Sequence, residues 1–203
     1  MQKYLVTHSL LSSWLYLLKG NPYEDATTER DPLAEFLQVL RREPTETTEA
    51  MQNGIDFEDL VTDIIVGRGD RSSKWWDAAA KIAGELRGAQ LQYRASTTLQ
   101  IGDRRILLYG RLDALKAGTI TDIKFSKKYE RGKYIDSTQH PMYMRIVPEA
   151  QQFTYLISNG VDVWHETYRR DEVPDIMPTV ERFFDWLEVS GYMAIYEKHW
   201  LAK

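Results

Sequence analysis

Up to residue 87 the apolar positions recur at helical spacing; from Ala89 to 126 they alternate as strands do, and both periods recur beyond. Residues 10–18 form an amphipathic run that Thr7, His8 and Ser9 introduce and Gly20, Asn21 and Pro22 stop. Asp31 and Pro32 open a second helix, which Pro44 closes. After a polar link at 45–49, residues 51–66 carry Phe57, Leu60, Val61, Ile64 and Ile65 on one face. Ser72 and Ser73 introduce a helix to Leu86, with Trp76, Ala80, Ala83 and Leu86 as the expected inner face. Strand periodicity follows at 91–101, 105–115 and 119–126, separated by Gly102-Asp103 and by a turn at Lys116, Ala117 and Gly118. Residues 127–145 read as irregular, basic and tyrosine-rich. Pro148 starts an expected helix ending at Asn159 and Gly160, 161–168 reads as a further strand, and 179–200 as helix broken near Ser190 and Gly191.

This order predicts an α/β (α+β) layered fold: a central mixed sheet of three antiparallel strands and one further strand, flanked by helices. With no internal repeat and no low-complexity linker, one domain over 1–203 is expected. Its core spans 47–170, between N-terminal helices within 8–43 and a C-terminal helix over 178–200.

The chemistry concentrates in the hairpin at 109–124, YGRLDALKAGTITDIK. Asp122 and Lys124 are two apart on one strand and share a face. Whether Asp113 joins them depends on the turn. A two-residue loop of Ala117 and Gly118 pairs Lys116 with Thr119, Ala114 with Thr121 and Asp113 with Asp122; a four-residue loop leaves the aspartates diagonal on one face. A three-residue loop sends them to opposite faces, so an even loop is expected. Two carboxylates, the Ile123 carbonyl and a lysine in one patch suit a hard cation with an amine beside it. Taken alone, Asp122 and Lys124 equally fit a surface ion pair worth about 0–1 kcal/mol.

The chain has 203 residues, is 43% hydrophobic and carries a net charge of −4, so a general coat for nucleic acid is not expected, whereas a local basic groove is compatible. The absence of cysteine excludes disulfides and any cysteine-ligated iron–sulfur cluster. No signal-peptide pattern or bilayer-length apolar run is present; a soluble cytoplasmic protein is expected, with no membrane partner.

Gly110-Arg111-Leu112-Asp113 followed by Asp122-Ile123-Lys124 resembles the GxxD…(D/E)xK core of the PD-(D/E)xK nuclease superfamily. Gly54 through Glu58 resembles its upstream acidic motif, and Gln151 through Tyr155 resembles the QxxxY motif of the RecB-type and phage-exonuclease branch. The resemblance implies a restriction-endonuclease-like core and a metal-dependent DNA exonuclease of recombination, repair or phage DNA processing. It implies that Glu58, Asp113, Asp122 and the Ile123 carbonyl hold Mg²⁺ or Mn²⁺, and that Lys124 orients or activates the attacking water. As a base beside cations, Lys124 would have a depressed pKa. Gln151 and Tyr155, one helical turn apart, would face the same site.

Lys127, Lys128, Arg131 and Lys133, interleaved with Tyr129 and Tyr134, are candidate nucleic-acid contacts, although such a run also fits a solvated loop. His140 reads as a turn cap rather than a site residue, and His8 and the Trp75–Trp76 pair as structural. The expected partner is DNA, as a linear duplex end or a single strand. No Walker A loop is present, so unwinding would need a helicase or recombination partner. The rival readings are a catalytically inactive DNA-binding or recombination-assembly module on the same fold, and an unrelated α+β interaction protein.

Overall fold

The computed structural model describes residues 2–19 and 31–202; the expected helix stop at Gly20, Asn21 and Pro22 lies outside them. The described elements are β1 (Lys3–Val6), α1 (His8–Lys19), α2 (Pro32–Leu40), α3 (Glu49–Ile65), α4 (Trp76–Glu85), β2 (Gln90–Ile101), β3 (Arg104–Lys116), β4 (Thr119–Phe125), α5 (Gln139–Ile146), β5 (Gln152–Ser158), β6 (Val163–Arg169), α6 (Met177–Val189), α7 (Met193–Trp200) and β7 (Leu201–Ala202). The helix starts follow their caps: the Asp31 carboxylate accepts from the Leu33 and Ala34 amides, and the Thr48 hydroxyl accepts from Met51. In α4 the buried face is Ala78, Ala79, Ile82 and Ala83, rotated from the expected one, so Trp76 and Ala80 are only half-buried.

The architecture is a mixed α+β arrangement in which helices flank a seven-stranded mixed sheet, larger than expected. Its order is β6-β5-β4-β3-β1-β7, with β2 also on β3. The hairpin loop is even, as expected. Ala117 (φ 47°) and Gly118 (φ 77°) both adopt positive φ, and Lys116 pairs with Thr119 and Ala114 with Thr121.

One topological detail creates the site. β2 lies along one edge of β3 from Arg104 to Leu115, so β1 and β4 must share the other edge. β1 takes Ile106 to Leu108 in parallel, and β4 takes Ala114 to Lys116 in antiparallel. Residues 109–113 therefore lie at a fork, with no ladder partner on that edge.

Two buried clusters hold this frame. Ile120, Phe153, Tyr155 and Ile157 pack with α1, α5 and α6 residues such as Leu10, Met142 and Phe183, while Ile123 and Leu156 pack with Phe57, Val61 and Ile82 of α3 and α4. β4 and β5 are thus covered on both faces. Sealing each such Leu, Ile or Phe from water contributes about 1.5–3 kcal/mol, enough to fix the strand register against slippage. Tyr196 donates to the Leu5 carbonyl at 2.7 Å and Trp200 to the Leu40 carbonyl at 2.8 Å, tying the C-terminal helices to β1 and α2. No helix among the described residues is long and apolar enough to cross a membrane.

Four elements differ from expectation. β1 and β7 are too short to register as strands in a periodicity reading. The expected helix from Pro148 to Gly160 is instead β5, which shows no alternation of apolar and polar positions because both faces are buried. The helix lies earlier, at α5, within the stretch read as irregular. Seven of its eight residues are buried, so it shows no polar face and no amphipathic period.

Candidate active site

The fork opens on a cavity of about 310 Å³ whose lining includes Glu58, Asp113, Asp122 and Lys124. Each acidic side chain is held by one oxygen. Asp113 Oδ2 accepts from the Ile123 amide at 2.8 Å, and takes the place of the next ladder rung where β3 and β4 part. Asp122 Oδ1 accepts from Gln139 Nε2 of α5, and Glu58 Oε1 accepts from Gln92 Nε2 at 2.8 Å. Gln92 reaches Glu58 from positive φ (50°), an uncommon conformation for a residue with a side chain, and so a point of stored strain beside Glu58. The second oxygen of each carboxylate makes no hydrogen bond among the described residues. For Asp122 that oxygen is buried; Lys124 Nζ stands 2.7 Å away as an ion pair, outside hydrogen-bond alignment.

The electrostatics follow from this crowding. Burial, then the charges of Asp122 and Glu58, holds Asp113 well above the usual carboxylate range. Glu58 is raised by burial, which the Gln92 hydrogen bond opposes and the Asp122 charge reinforces. Burial works against the Lys124 ammonium, but Asp122 and Asp113 outweigh it and the pKa is raised. The expected depression of Lys124 belongs to an ion-loaded site; the charges facing it here are carboxylates, which act in the opposite direction. His8 lines the same cavity, and burial with the nearby Lys124 charge lowers it to about 4, so it is neutral at pH 7.

Gly110 has a steric reason. A Cβ there would stand 2.5 Å from Cε1 of Tyr143, whose ring lies over β3 while its hydroxyl donates to the Arg111 carbonyl at 3.2 Å. Arg111 itself is exposed at the cavity wall.

Gln151 and Tyr155 correct the expectation most sharply. They do not share a helix. Gln151 precedes β5, is exposed and donates to the Glu149 carbonyl. Tyr155 pairs with Asp122 across β4 and β5, is fully buried, and meets the His140 imidazole at 3.2 Å. Its ring lies 5.9 Å from the Lys124 ammonium, beside the cavity rather than in its wall. The glutamine and tyrosine that reach the cavity from one helix are Gln139 and Tyr143. The same four-residue spacing was available in the sequence, but the stretch lacked a helical signature. His140 caps no turn; it stacks on Tyr168 at 4.2 Å. His8, read as structural, is in the wall.

The basic segment after β4 is a folded structure. Lys127, Lys128 and Arg131 are exposed, while Lys133 turns back to Ser126 Oγ (2.7 Å) and the Lys128 carbonyl (3.1 Å). Tyr134 stacks on Tyr155 at 4.6 Å. Glu166 of β6 anchors the segment, accepting from the Tyr129 hydroxyl (2.7 Å), the Gly132 amide (3.1 Å), the Tyr134 amide (3.0 Å) and the Tyr168 hydroxyl. No sequence signal marked Glu166, whose partners are more than thirty residues away in three of four cases. Burial pushes its pKa up, but the four donors outweigh it and hold it below the ordinary 4.5. The resulting stabilisation is complete above pH 4.5 and is lost as pH falls through the folded-state value. Glu166→Gln should cost about 2 kcal/mol at pH 7, since an amide nitrogen would face N–H and O–H donors. In urea melts at pH 7 and below pH 3.5 the gap between variant and wild type should close at the lower pH; an undiminished gap would refute the ionised anchor.

Among the described residues no three Asp, Glu or His side chains converge as an assembled ion site. The donor set still suits a hard divalent cation: three carboxylates around one cavity, Asp113 and Glu58 each with an oxygen that makes no hydrogen bond among the described residues, and Asp122 with an oxygen held only by the Lys124 ammonium.

No protein-family model matches the chain, and no curated protein matches it. Among solved structures, SSO0001 is similar with a TM-score of 0.52 at 13% identity, over 93% of this chain and 77% of that one. Rai1 of Scheffersomyces stipitis aligns with a TM-score of 0.37 at 12% identity, over 91% of this chain and 61% of that one. The likeness to SSO0001 is one of fold.

Proposed function

We propose that this chain is a divalent-metal-dependent deoxyribonuclease with a restriction-endonuclease-like core of the PD-(D/E)xK type, acting as an exonuclease on linear DNA. The observation that carries the reading is the fork in the sheet, which gathers Glu58, Asp113, Asp122 and Lys124 around one cavity. Glu58, Asp113, Asp122 and the Ile123 carbonyl would hold Mg²⁺ or Mn²⁺, which when bound lowers the pKa of water and neutralises phosphate charge.

The chain's own groups do the rest. Gln139 and the Ile123 amide each take one oxygen of Asp122 and Asp113 and so fix how these carboxylates sit in the cavity lining. Protonated Lys124, 30% exposed, stabilises negative charge developing on the scissile phosphate. Arg111 at the rim offers a second cation for a phosphate. Neutral His8 can accept a proton or a hydrogen bond there.

Among the described residues the acidic groups are not assembled as an ion site and Asp122 is paired with Lys124, which suits a second reading, a DNA-binding module that no longer cleaves. End-labelled linear DNA separates the two. Cleavage in Mg²⁺ or Mn²⁺ that stops in EDTA is expected; a stable gel shift without cleavage would establish the second reading, and neither result would refute both.

A further inference from the structure

We infer that the cleft between the 126–138 segment and β6 is a stacking site for an unpaired base, so that the substrate is a single strand or a single-stranded tail. This rests on the nuclease or DNA-binding reading of the neighbouring site and adds a substrate class to it.

Sheet register places the two sites together. Lys124 pairs with Ile157 and Ile157 with Trp164; Asp122 pairs with Tyr155 and Tyr155 with Glu166. Directly opposed residues point to the same face, so Trp164 and Glu166 share a face with Lys124 and Asp122. Two strand spacings, roughly 10 Å, separate the rows' ends. That span is within reach of one extended nucleic-acid strand.

The cleft has a cavity of about 580 Å³, lined by Tyr129, Arg131, Trp164 and Tyr168 among others, with Ile135 65% exposed at its edge. Tyr129 and Trp164 form a continuous aromatic wall, their centroids 5.4 Å apart and their planes tilted by 35°. Glu166 fixes this wall in place: its oxygens are occupied by Tyr129, Tyr168 and two backbone amides, so it is a structural anchor rather than a ligand for bases. Arg131 is exposed and forms no ion pair among the described residues.

Charge decides the occupant. Between residues 127 and 133 stand Lys127, Lys128, Arg131 and Lys133 against Glu130, in a chain whose net charge is −4; Lys127 lies 3.9 Å from Glu49, and Lys128 and Arg131 are exposed and form no ion pair among the described residues. A local cationic stripe joined to an aromatic wall takes a polyanion with flat faces, which describes single-stranded nucleic acid. A duplex keeps all but its two terminal base faces inside the stack and so offers the wall far less.

The test uses fluorescence anisotropy in EDTA with a labelled oligo-dT and a blunt duplex of equal length. Wild type should bind the single strand more tightly. Trp164→Ala should weaken that binding by about tenfold and leave duplex binding unchanged, whereas Trp164→Phe should keep most of it. Thermal melts verify that each variant is folded; if the alanine variant is not, the comparison of Trp164→Phe with Trp164→Leu decides in its place. Equal single-strand affinity in the aromatic-free variant, equal losses on both substrates, or no single-strand binding by wild type would overturn the inference. Failures remain distinguishable: metal-dependent cleavage with no Trp164 effect sinks only the stacking site, and a selective Trp164 effect without cleavage sinks only the nuclease.

Discussion

Lys124→Ala should cut cleavage by a factor of about 10²–10⁴ while linear DNA and Mn²⁺ still bind. Lys124 is the cationic side chain set directly against the Asp122 carboxylate, 2.7 Å from its buried Oδ2. The surrounding carboxylates keep its ammonium protonated, which suits stabilising charge on a phosphate more than taking a proton from water. Removing it deletes a group needed most when charge develops, so the loss should fall on kcat rather than on DNA affinity. Single-turnover cleavage and anisotropy on the same preparation measure both. Unimpaired cleavage would remove the lysine from the mechanism, and a loss confined to affinity would make it a phosphate-binding residue.

The second large effect sets stability against function. Asp113→Asn should abolish detectable cleavage yet raise the melting temperature in EDTA by about 2–4 °C, the shift a domain of this size shows for roughly 1 kcal/mol. Asp113 ionises only at a cost, because it is desolvated and faces Asp122 and Glu58. An asparagine keeps an oxygen for the Ile123 amide and removes the repulsion. Wild type should recover stability when Mn²⁺ is added, since a ligand that binds only the folded state stabilises it by mass action, and the variant should recover much less. Two melts, with Mn²⁺ and with EDTA, measure this without reference to activity. A variant less stable than wild type in EDTA would show that the carboxylate cluster is not under repulsive strain.

Most of the hairpin chemistry was legible because it is local. Asp122 and Lys124 share a face by strand period alone, and Ala117-Gly118 makes a two-residue turn with positive φ at both positions. Glu58 stands next to the one clear apolar face of α3, beside Phe57, a position that fits exposed surface and cavity rim alike, and only the packed structure sets it in the cavity lining. Gln139 and Tyr143 were hidden for the opposite reason: a short helix buried nearly all round carries no period to read. β5 misled in the same way, since a strand covered on both faces lacks the alternation that marks a strand, and a four-residue spacing within it looks helical.

The sequence alone thus determined which residue types stand two or four apart on each element, and with them the acidic and basic character of the hairpin. Only the tertiary structure decided that β1 and β4 part along β3 and open a cavity there, and that Gln139 comes to Asp122 and Glu166 to Tyr129. Those pairings join residues 17 and 37 positions apart, and they are set by which surfaces the packed sheet and helices can bury together, a property of the whole chain that no local period encodes.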